Sequence, residues 1–553
     1  MRGINRAVGV VAASALALTL SACGGDDSGD ESEAGLTVFG CNPENPLVPQ
    51  NTAETCGGDP QDLTVAKLIH YDVENAAPSY DIAESIETDD NQNFTVKIKP
   101  DYKFSDGTTV TAESFVKAWN YAAWGPNGYQ ANYFFEPFAG YAAMQCAPPE
   151  NAELAEDEDP CAKYPPVDKD EALDGLEVVD ETTFTIQTTE KVSNLEVRLG
   201  YTAFAPLPES FFEDPDAFGE KPVGAGPYMV DKWTKNEEIV LSKNPEYSGE
   251  YPGVEDQITF RIYENAEAAY ADLQAGNLDV INQIPTDSLI DDKWLTDLDD
   301  RGTSRPVGVI QTIGINPVAD KGLDDPDLRK AISMAIDRQT VIDQIFAGTR
   351  EPATGWVSPV VDGYEAGACG DWCNYDPEAA KKLWDKAGGY DGDLTLAVNN
   401  DSDHGPWAEA ACNSIRQALD VECTVDLSRD FATFLTDLGE GKIKGLFRQG
   451  WQMDYPSIEN FLVPLYSKGA SSNYYGPYDN PEFEQLTREA AAADDLDTAN
   501  GLYQQAEQLL SEDMRIIPLW YATGQAGWSD RVDGEVAINA FGVPDYRNVE
   551  LAN

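Results

Sequence analysis

An α/β protein of roughly two or three domains is what the sequence predicts, and three observations predict it. The chain runs to 553 residues, enough for more than one hydrophobic core. Segments that alternate apolar and polar residues, as half-buried strands do, stand beside segments whose apolar residues recur at helical spacing. Several of the helical segments open on one start signal, a capping side chain followed by proline. No repeat at solenoid spacing is present.

The first element is not part of the folded body. Arg2 and Arg6 give a positive start. Ala7 to Leu20 is apolar apart from Ser14 and Thr19 and ends on Leu20-Ser21-Ala22-Cys23. This order of charge, apolar core and small residues makes a secretory signal over residues 1–22. The run falls well short of the roughly 20 residues that span a bilayer. Leu-Ser-Ala-Cys resembles a bacterial lipobox, which implies cleavage before Cys23 and acylation of its thiol and new amine. The alternative is ordinary secretion with Cys23 left as a thiol. Residues 23–35 have no apolar face and read as a flexible tether. Several acyl chains would hold the protein at a membrane better than one.

Within the body, Phe94-Thr-Val96-Lys-Ile98 alternates as a strand does. Ser105-Asp106-Gly107 is a turn. Thr111 then caps a helix with Glu113 in its first turn, and Phe115, Ala118, Trp119 and Ala122 form its apolar face. Asp325-Pro326, Asp376-Pro377 and Asn480-Pro481 start three more helices. The first is expected to run through Leu328, Ala331, Ile332, Ala335, Ile336, Ile342 and Ile345 and to end at Gly348. The second carries Leu383, Trp384 and Ala387 and stops at Gly388. A strand over Leu394 to Val398 follows, so helices and strands alternate.

Charge and rare residues exclude whole classes of function. The formal charge is -61, from 37 basic and 98 acidic side chains. Nucleic acid and anionic lipid surfaces would be repelled, so neither is a partner. The excess either keeps the protein in solution or fits it to a salty habitat. Only His70 and His404 are available as imidazoles. A Ser-His-Asp triad would have to use one of them, and no His-Glu-x-x-His helix, Walker A loop or Gly-x-Ser-x-Gly elbow is present. The chain is therefore not read as an enzyme, and no cofactor and no metal are expected.

Eight cysteines remain besides Cys23. An even number in an exported chain points to disulfides. Proximity along the chain pairs Cys41 with Cys56, Cys146 with Cys161, Cys369 with Cys373, and Cys412 with Cys423. A metal site at Cys369-Gly-Asp-Trp-Cys373 would need a second Cys or His pair nearby, and none is there.

Six segments carry a resemblance over nearly the whole mature length. They are Lys103 to Glu113, Pro222-Val-Gly-Ala-Gly-Pro-Tyr228, Asn244-Pro-Glu-Tyr247, Leu273-Gln-Ala-Gly-Asn-Leu-Asp279, Arg329 to Arg338, and Gly450-Trp-Gln-Met-Asp-Tyr-Pro456. In sequence and order they are similar to the extracytoplasmic solute-binding proteins of peptide-type ABC importers, the oligopeptide- and dipeptide-binding family. The resemblance implies a two-lobe, periplasmic-binding-protein-like (Venus flytrap) α/β fold of class II, cluster C type, with an extra subdomain. On this reading residues 36–74, 183–310 and 520–553 form the core of lobe 1. Residues 75–182 form its extra subdomain and 311–519 form lobe 2. Hinge closure of such lobes gives a membrane partner a shape to read.

The same resemblance implies the site. Asp454, of the Trp-x-x-Asp motif, would pair with a peptide's α-ammonium, because an enclosed cation needs a fixed anion. Arg448 would lie near the ligand's carboxylate, which a guanidinium can hold with two parallel hydrogen bonds. Trp451 would pack beside the ligand or fill the lobe core. Phe431 matches a side-chain pocket position or packs in the core, and Tyr133 would face the cleft. His404 falls out of register with a relative's histidine and is assigned nothing. The implied partners are a small peptide, an ABC transporter permease and, through lipid, the cell membrane, with the protein a monomer. Broad tolerance for peptides would follow from main-chain bonding and hydrated side-chain pockets. Nickel chelates, haem, sugars or opines are ligands of other members, and peptide sensing without import is a further alternative.

Overall fold

The structure is a computed structural model that describes residues 35–552 apart from 53, 147–159, 168–170, 264, 401–403, 430, 469 and 471–477. The signal, Cys23 and the tether up to residue 34 lie outside the described residues, as does the side chain of Phe431.

An eleven-stranded sheet organises the chain. Its order is Cys423–Arg429, Leu394–Asn399, Leu446–Gln452, Gly302–Ile315, Ile516–Trp528, Val280–Ile281, Leu36–Gly40, Gln257–Ile262, Glu238–Lys243 and Tyr228–Thr234, with Glu351–Pro352 beside Ile516–Trp528. Leu36–Gly40 is buried at every position and lies parallel to its neighbours, which is why it reads as one apolar run without alternation. The long strands Gly302–Ile315 and Ile516–Trp528 pair antiparallel through the middle, and their register shifts between Pro306 and Ile310. Gly308 sits in that break. A Cβ there would come within 2.3 Å of the Met453 sulfur, so a larger residue would have to push the Met453 side chain aside.

A second sheet has four strands, ordered Ala83–Thr88, Asn93–Ile98, Thr183–Gln187 and Leu176–Asp180. Asn93–Ile98 alternates exposed and buried residues, as its sequence predicts. The helix Ala112–Ala123 packs on this sheet: Phe115 stacks on Phe184 at 5.6 Å and Trp119 meets the same ring edge-on at 5.4 Å. Its start is fixed by Ser114 Oγ, which accepts the Thr111 N–H at 3.2 Å.

Among the described residues the buried apolar side chains gather into four cores. The largest draws almost entirely on residues 310–540, and a second on Val48 to Ala225 with Tyr455 added. The third combines Leu36, Val38, Tyr228 to Val280 and the C-terminal Ala526, Trp528 and Tyr546. Buried Asp279 ties that third region together. It accepts hydrogen bonds from Thr37 N and Oγ1 at 2.9 Å and from Ser529 Oγ at 3.0 Å, across 242 and 250 residues of chain.

One helix departs from its predicted course. The segment after Asp325 is not continuous to Gly348 but forms two helices, Pro326–Met334 and Arg338–Ile345. The Arg338 guanidinium is the cause. It is 3% exposed and donates to Pro518 O at 2.8 Å, Ser333 O at 3.0 Å and Ser333 Oγ at 2.8 Å. Carbonyls committed to a buried cation are not free for the helix ladder, and Asp337 restarts the helix by accepting the Thr340 N–H. The other starts follow expectation. Asp376 and Asn480 cap Pro377–Lys386 and Pro481–Ala491, and Gly388, at φ 97°, ends the former.

The cysteines are bonded in local pairs, Cys41–Cys56, Cys146–Cys161, Cys369–Cys373 and Cys412–Cys423. Loops this short restrict the unfolded chain only locally, and about 3 kcal/mol is the scale for the longer of them. Among the described residues no helix is long and apolar enough to cross a membrane.

Buried Glu507 accepts the N–H groups of Trp356 and Val357 at 2.7 and 3.2 Å, and burial raises its pKa from 4.5 to about 7. A carboxyl raised in the folded state makes folding take up a proton. Its contribution is therefore present below the unfolded value and is lost as pH rises from 4.5 to about 7. The stability difference between Glu507→Gln and the native chain should shift in the variant's favour by roughly 2–3 kcal/mol between pH 4 and 8. Urea unfolding at several pH values checks this, and a difference that does not move with pH would overturn it.

Candidate functional site

A cavity of about 260 Å³ opens where four segments of the chain converge. One wall is the helix Thr55–Thr64 with the segment after it up to Val73. A second is Gly200-Tyr201-Thr202 with Gln452-Met453-Asp454, and Asn539 to Arg547 closes the third side. Asp454 reaches it because Leu446–Gln452 ends there. Met453 N donates to Gly308 O at 2.8 Å, and Gly308 N donates to Ala540 O at 2.7 Å, so the register break of the long strands holds the strand's end in place.

Asn460, itself buried, fixes the aspartate. Its Oδ1 accepts the Asp454 N–H at 2.9 Å and the Trp451 indole N–H at 3.1 Å, and its Nδ2 donates to Asp454 Oδ2 at 3.0 Å. Burial raises the Asp454 carboxyl to about 7, against the pull of Asn460 and with some repulsion from Glu459. Among the described residues no cation pairs with it. The site therefore holds a rigid carboxyl near neutrality that lacks a positive partner, which is what a ligand cation would supply.

Aromatic side chains crowd this end. Tyr71 and Tyr201 line the cavity, and Tyr71 Oη donates to Val197 O at 2.5 Å. Tyr133 stacks on Phe134, and Phe134 on Tyr201, each pair at 4.4 Å. Burial, then the Asp454 charge, raises the pKa of all three tyrosines, so they are neutral hydrogen-bonding groups.

The far wall is acidic but largely neutralised. Lys67 pairs with Asp62 at 2.5 Å, and Arg547 donates to Asp545 at 3.3 Å. Burial opposes ionisation of Asp62, yet Lys67 and Arg547 outweigh it and bring its pKa to about 2. Burial, with Arg547 and Lys67 nearby, lowers His70 to about 4, so its imidazole is neutral and stacks on Tyr251 at 3.8 Å. Among the described residues no three His, Cys, Asp or Glu side chains group as metal ligands do.

The predicted site residues separate. Asp454 lines the cavity; Arg448, Trp451 and Tyr133 do not. Arg448 lies opposite Ile313, on the strand face it shares with Gln452. Trp451 packs against the largest core, and its indole N–H donates to Asn460, which holds Asp454. Tyr133 stands behind Tyr201. Phe431 opens the helix Phe431–Gly439, and its side chain is outside the description. His404 accepts the Trp407 indole N–H at 3.0 Å at the start of Gly405–Leu419. Missing from the sequence reading were Tyr71, Tyr201, Asp59 and Arg547. The first helix reads Thr-Cys-Gly-Gly-Asp-Pro-Gln-Asp-Leu-Thr, with two glycines and an internal proline, and shows no helical periodicity. Only Cys56 marked that stretch.

Comparison with known proteins places the chain in a family and a fold. The model of the bacterial extracellular solute-binding proteins, family 5 middle, matches residues 77–473. The periplasmic oligopeptide-binding protein OppA of Escherichia coli is 27% identical over 458 residues, covering 80% of this chain and 79% of its own. The structure of the E. coli murein tripeptide binding protein MppA superposes with a TM-score of 0.76 at 20% identity, over 94% of this chain and 99% of that one. That of Haemophilus influenzae OppA in complex with RPPGFSPFR gives 0.74 at 22% identity, over 93% and 98%. These structures establish the fold, the two-lobe α/β fold of the periplasmic binding proteins.

Proposed function

The chain belongs to the bacterial extracellular solute-binding proteins of family 5, and on that premise we propose that it captures oligopeptides outside the cytoplasm and passes them, unchanged, to an ABC transporter permease. On this reading lipid on Cys23 holds it at the membrane, and it works as a monomer. The observation that carries the peptide reading is the Asp454 carboxyl, fixed by Asn460, turned to the cavity and without a cation among the described residues. A free α-ammonium entering between the lobes loses its water and takes that place. The tyrosines around it supply neutral acceptors and donors. Main-chain groups of the peptide, common to every sequence, supply the rest, with water bridging the longer gaps.

The test is calorimetric titration of the exported, oxidised protein with a pool of tri- to hexapeptides and with the same pool N-acetylated. The free pool is expected to bind at least about tenfold more tightly, the scale of one charged hydrogen-bonding contact. Equal binding would keep peptides and discard the ammonium contact. Binding of neither pool would move the ligand to a non-peptide solute.

A further inference from the structure

The cavity's far wall holds a second carboxyl, which the peptide-terminus contact does not use. Each neighbouring carboxylate there has donors of its own. Asp62 has Lys67, Asp545 has Arg547, and Glu54 accepts the Gly57 N–H at 3.0 Å as the cap of the first helix. Asp59, on the same helix, has neither a hydrogen bond nor an ion pair among the described residues, although it lines the cavity. A separate observation marks the same place. Tyr546 also lines the cavity and is 2% exposed, and its hydroxyl is buried with no hydrogen-bond partner. Asp59 is the charge that acts on that hydroxyl, after burial itself. A buried phenol left without a partner is costly, and such a group needs an explanation. An unpaired carboxyl beside an unused hydroxyl is a place for a hydrogen-bonding cation, to which the carboxylate gives charge and both groups give acceptors.

We propose that Asp59 and Tyr546 form a subsite for the ammonium or guanidinium of a basic ligand side chain, so that the preferred solutes are peptides carrying lysine or arginine. This rests on the peptide reading and deepens it. Asp454 takes the end of the peptide, which every peptide has, and Asp59 selects among peptides. Lys67 and Arg547 do not cancel the selection, because each already faces its own carboxylate. His70 is neutral and does not repel the incoming charge.

The subsite also predicts a proton. In the empty cavity burial, with Asp62 and Glu54 nearby, raises Asp59 to about 8, so at pH 7 it is mostly neutral. The groups that face it are Glu54 and Asp62 on its own helix, Lys67 and His70 on the following segment, and Asp545, Tyr546 and Arg547 at the C-terminal side. A cation placed beside it favours the ionised form, and the proton leaves for solvent.

The experiment uses the exported, oxidised protein and tetra-alanine peptides in which a single lysine is moved from position to position. The control set carries norleucine, which has nearly the same length and no charge. At one or more positions lysine should bind on the order of tenfold more tightly than norleucine. Titration in buffers of different ionisation enthalpy should show extra proton release for the lysine set. Asp454 contributes to both sets and drops out of the difference. Asp59→Asn should bring the lysine-to-norleucine ratio close to one and remove the extra proton, while norleucine peptides keep their affinity. Tyr546→Phe should reduce the ratio by less. A ratio near one at every position in the native protein, which needs no variant, would overturn the proposal, and so would a ratio that survives Asp59→Asn. Binding of neither set would instead remove the peptide reading, and this inference with it.

Discussion

Asp454→Asn should cost about 2–4 kcal/mol of peptide affinity and make free and N-acetylated peptides bind alike. The size follows from the surroundings. The carboxyl is held by a buried Asn460 and has no cation beside it among the described residues, so an ammonium bound there has lost its water and relies on this anion. Asparagine keeps the shape and one acceptor for Asn460 Nδ2, replaces the other oxygen with a donor, and removes the charge. The pH profile separates this from a packing effect. Burial sets the Asp454 pKa at about 7 in the empty site, and the ammonium needs the ionised form. Native affinity should therefore rise from pH 5 toward 7, and the variant's rise should be shallower. Unchanged affinity in calorimetry would remove Asp454 from the site.

Arg198→Met should cost roughly 3–5 kcal/mol of stability, because it leaves a buried charge without its partner. Arg198 Nη2 lies 3.1 Å from Glu459 Oε1, with side chains only 15% and 2% exposed. Glu459 Oε2 also accepts from Asn194 Nδ2 at 3.0 Å and Tyr455 Oη at 2.7 Å, and Arg198 Nε donates to Asn194 Oδ1 at 3.0 Å. The network joins two cores. Arg198 stands between Leu195 and Leu199 of the second, while Glu459 stands beside Ile458 and Phe461 of the largest. The double variant Arg198→Met/Glu459→Gln should recover much of the loss, since no charge is then stranded. Urea unfolding of the single and double variants measures both terms. A single-variant cost below about 1 kcal/mol would mean that water already reaches the pair.

Local chemistry was legible in the sequence and distant chemistry was not. Asn93–Ile98 and Ala112–Ala123 could be read because alternation, a cap and an apolar stripe all lie within the segment itself. The break at residues 335–337 could not, because its cause includes Pro518 O, a carbonyl on another strand. Asp454 stood out because it belongs to the Trp-x-x-Asp motif that carries the family resemblance. Trp451, in the same motif, serves the site from behind through Asn460, a role no spacing could separate from ligand contact. Asp59 and Tyr546 come from opposite ends of the chain, and among 98 acidic residues a single aspartate carries no signal.

The Asp279 node has a consequence for how the protein is made. Thr37, Asp279 and Ser529 meet only after nearly the whole polypeptide is present, and Trp528, which pairs with Val280, arrives equally late. Synthesis delivers the N-terminus first, so Leu36–Gly40 emerges early and then waits for partners still to come. Contacts of such high order are slow to form. Until the last few dozen residues emerge, the apolar strand at the start of the body lacks its final cover. A truncation near residue 520 should therefore yield a chain that binds chaperones and is degraded, even though most of its helices are intact.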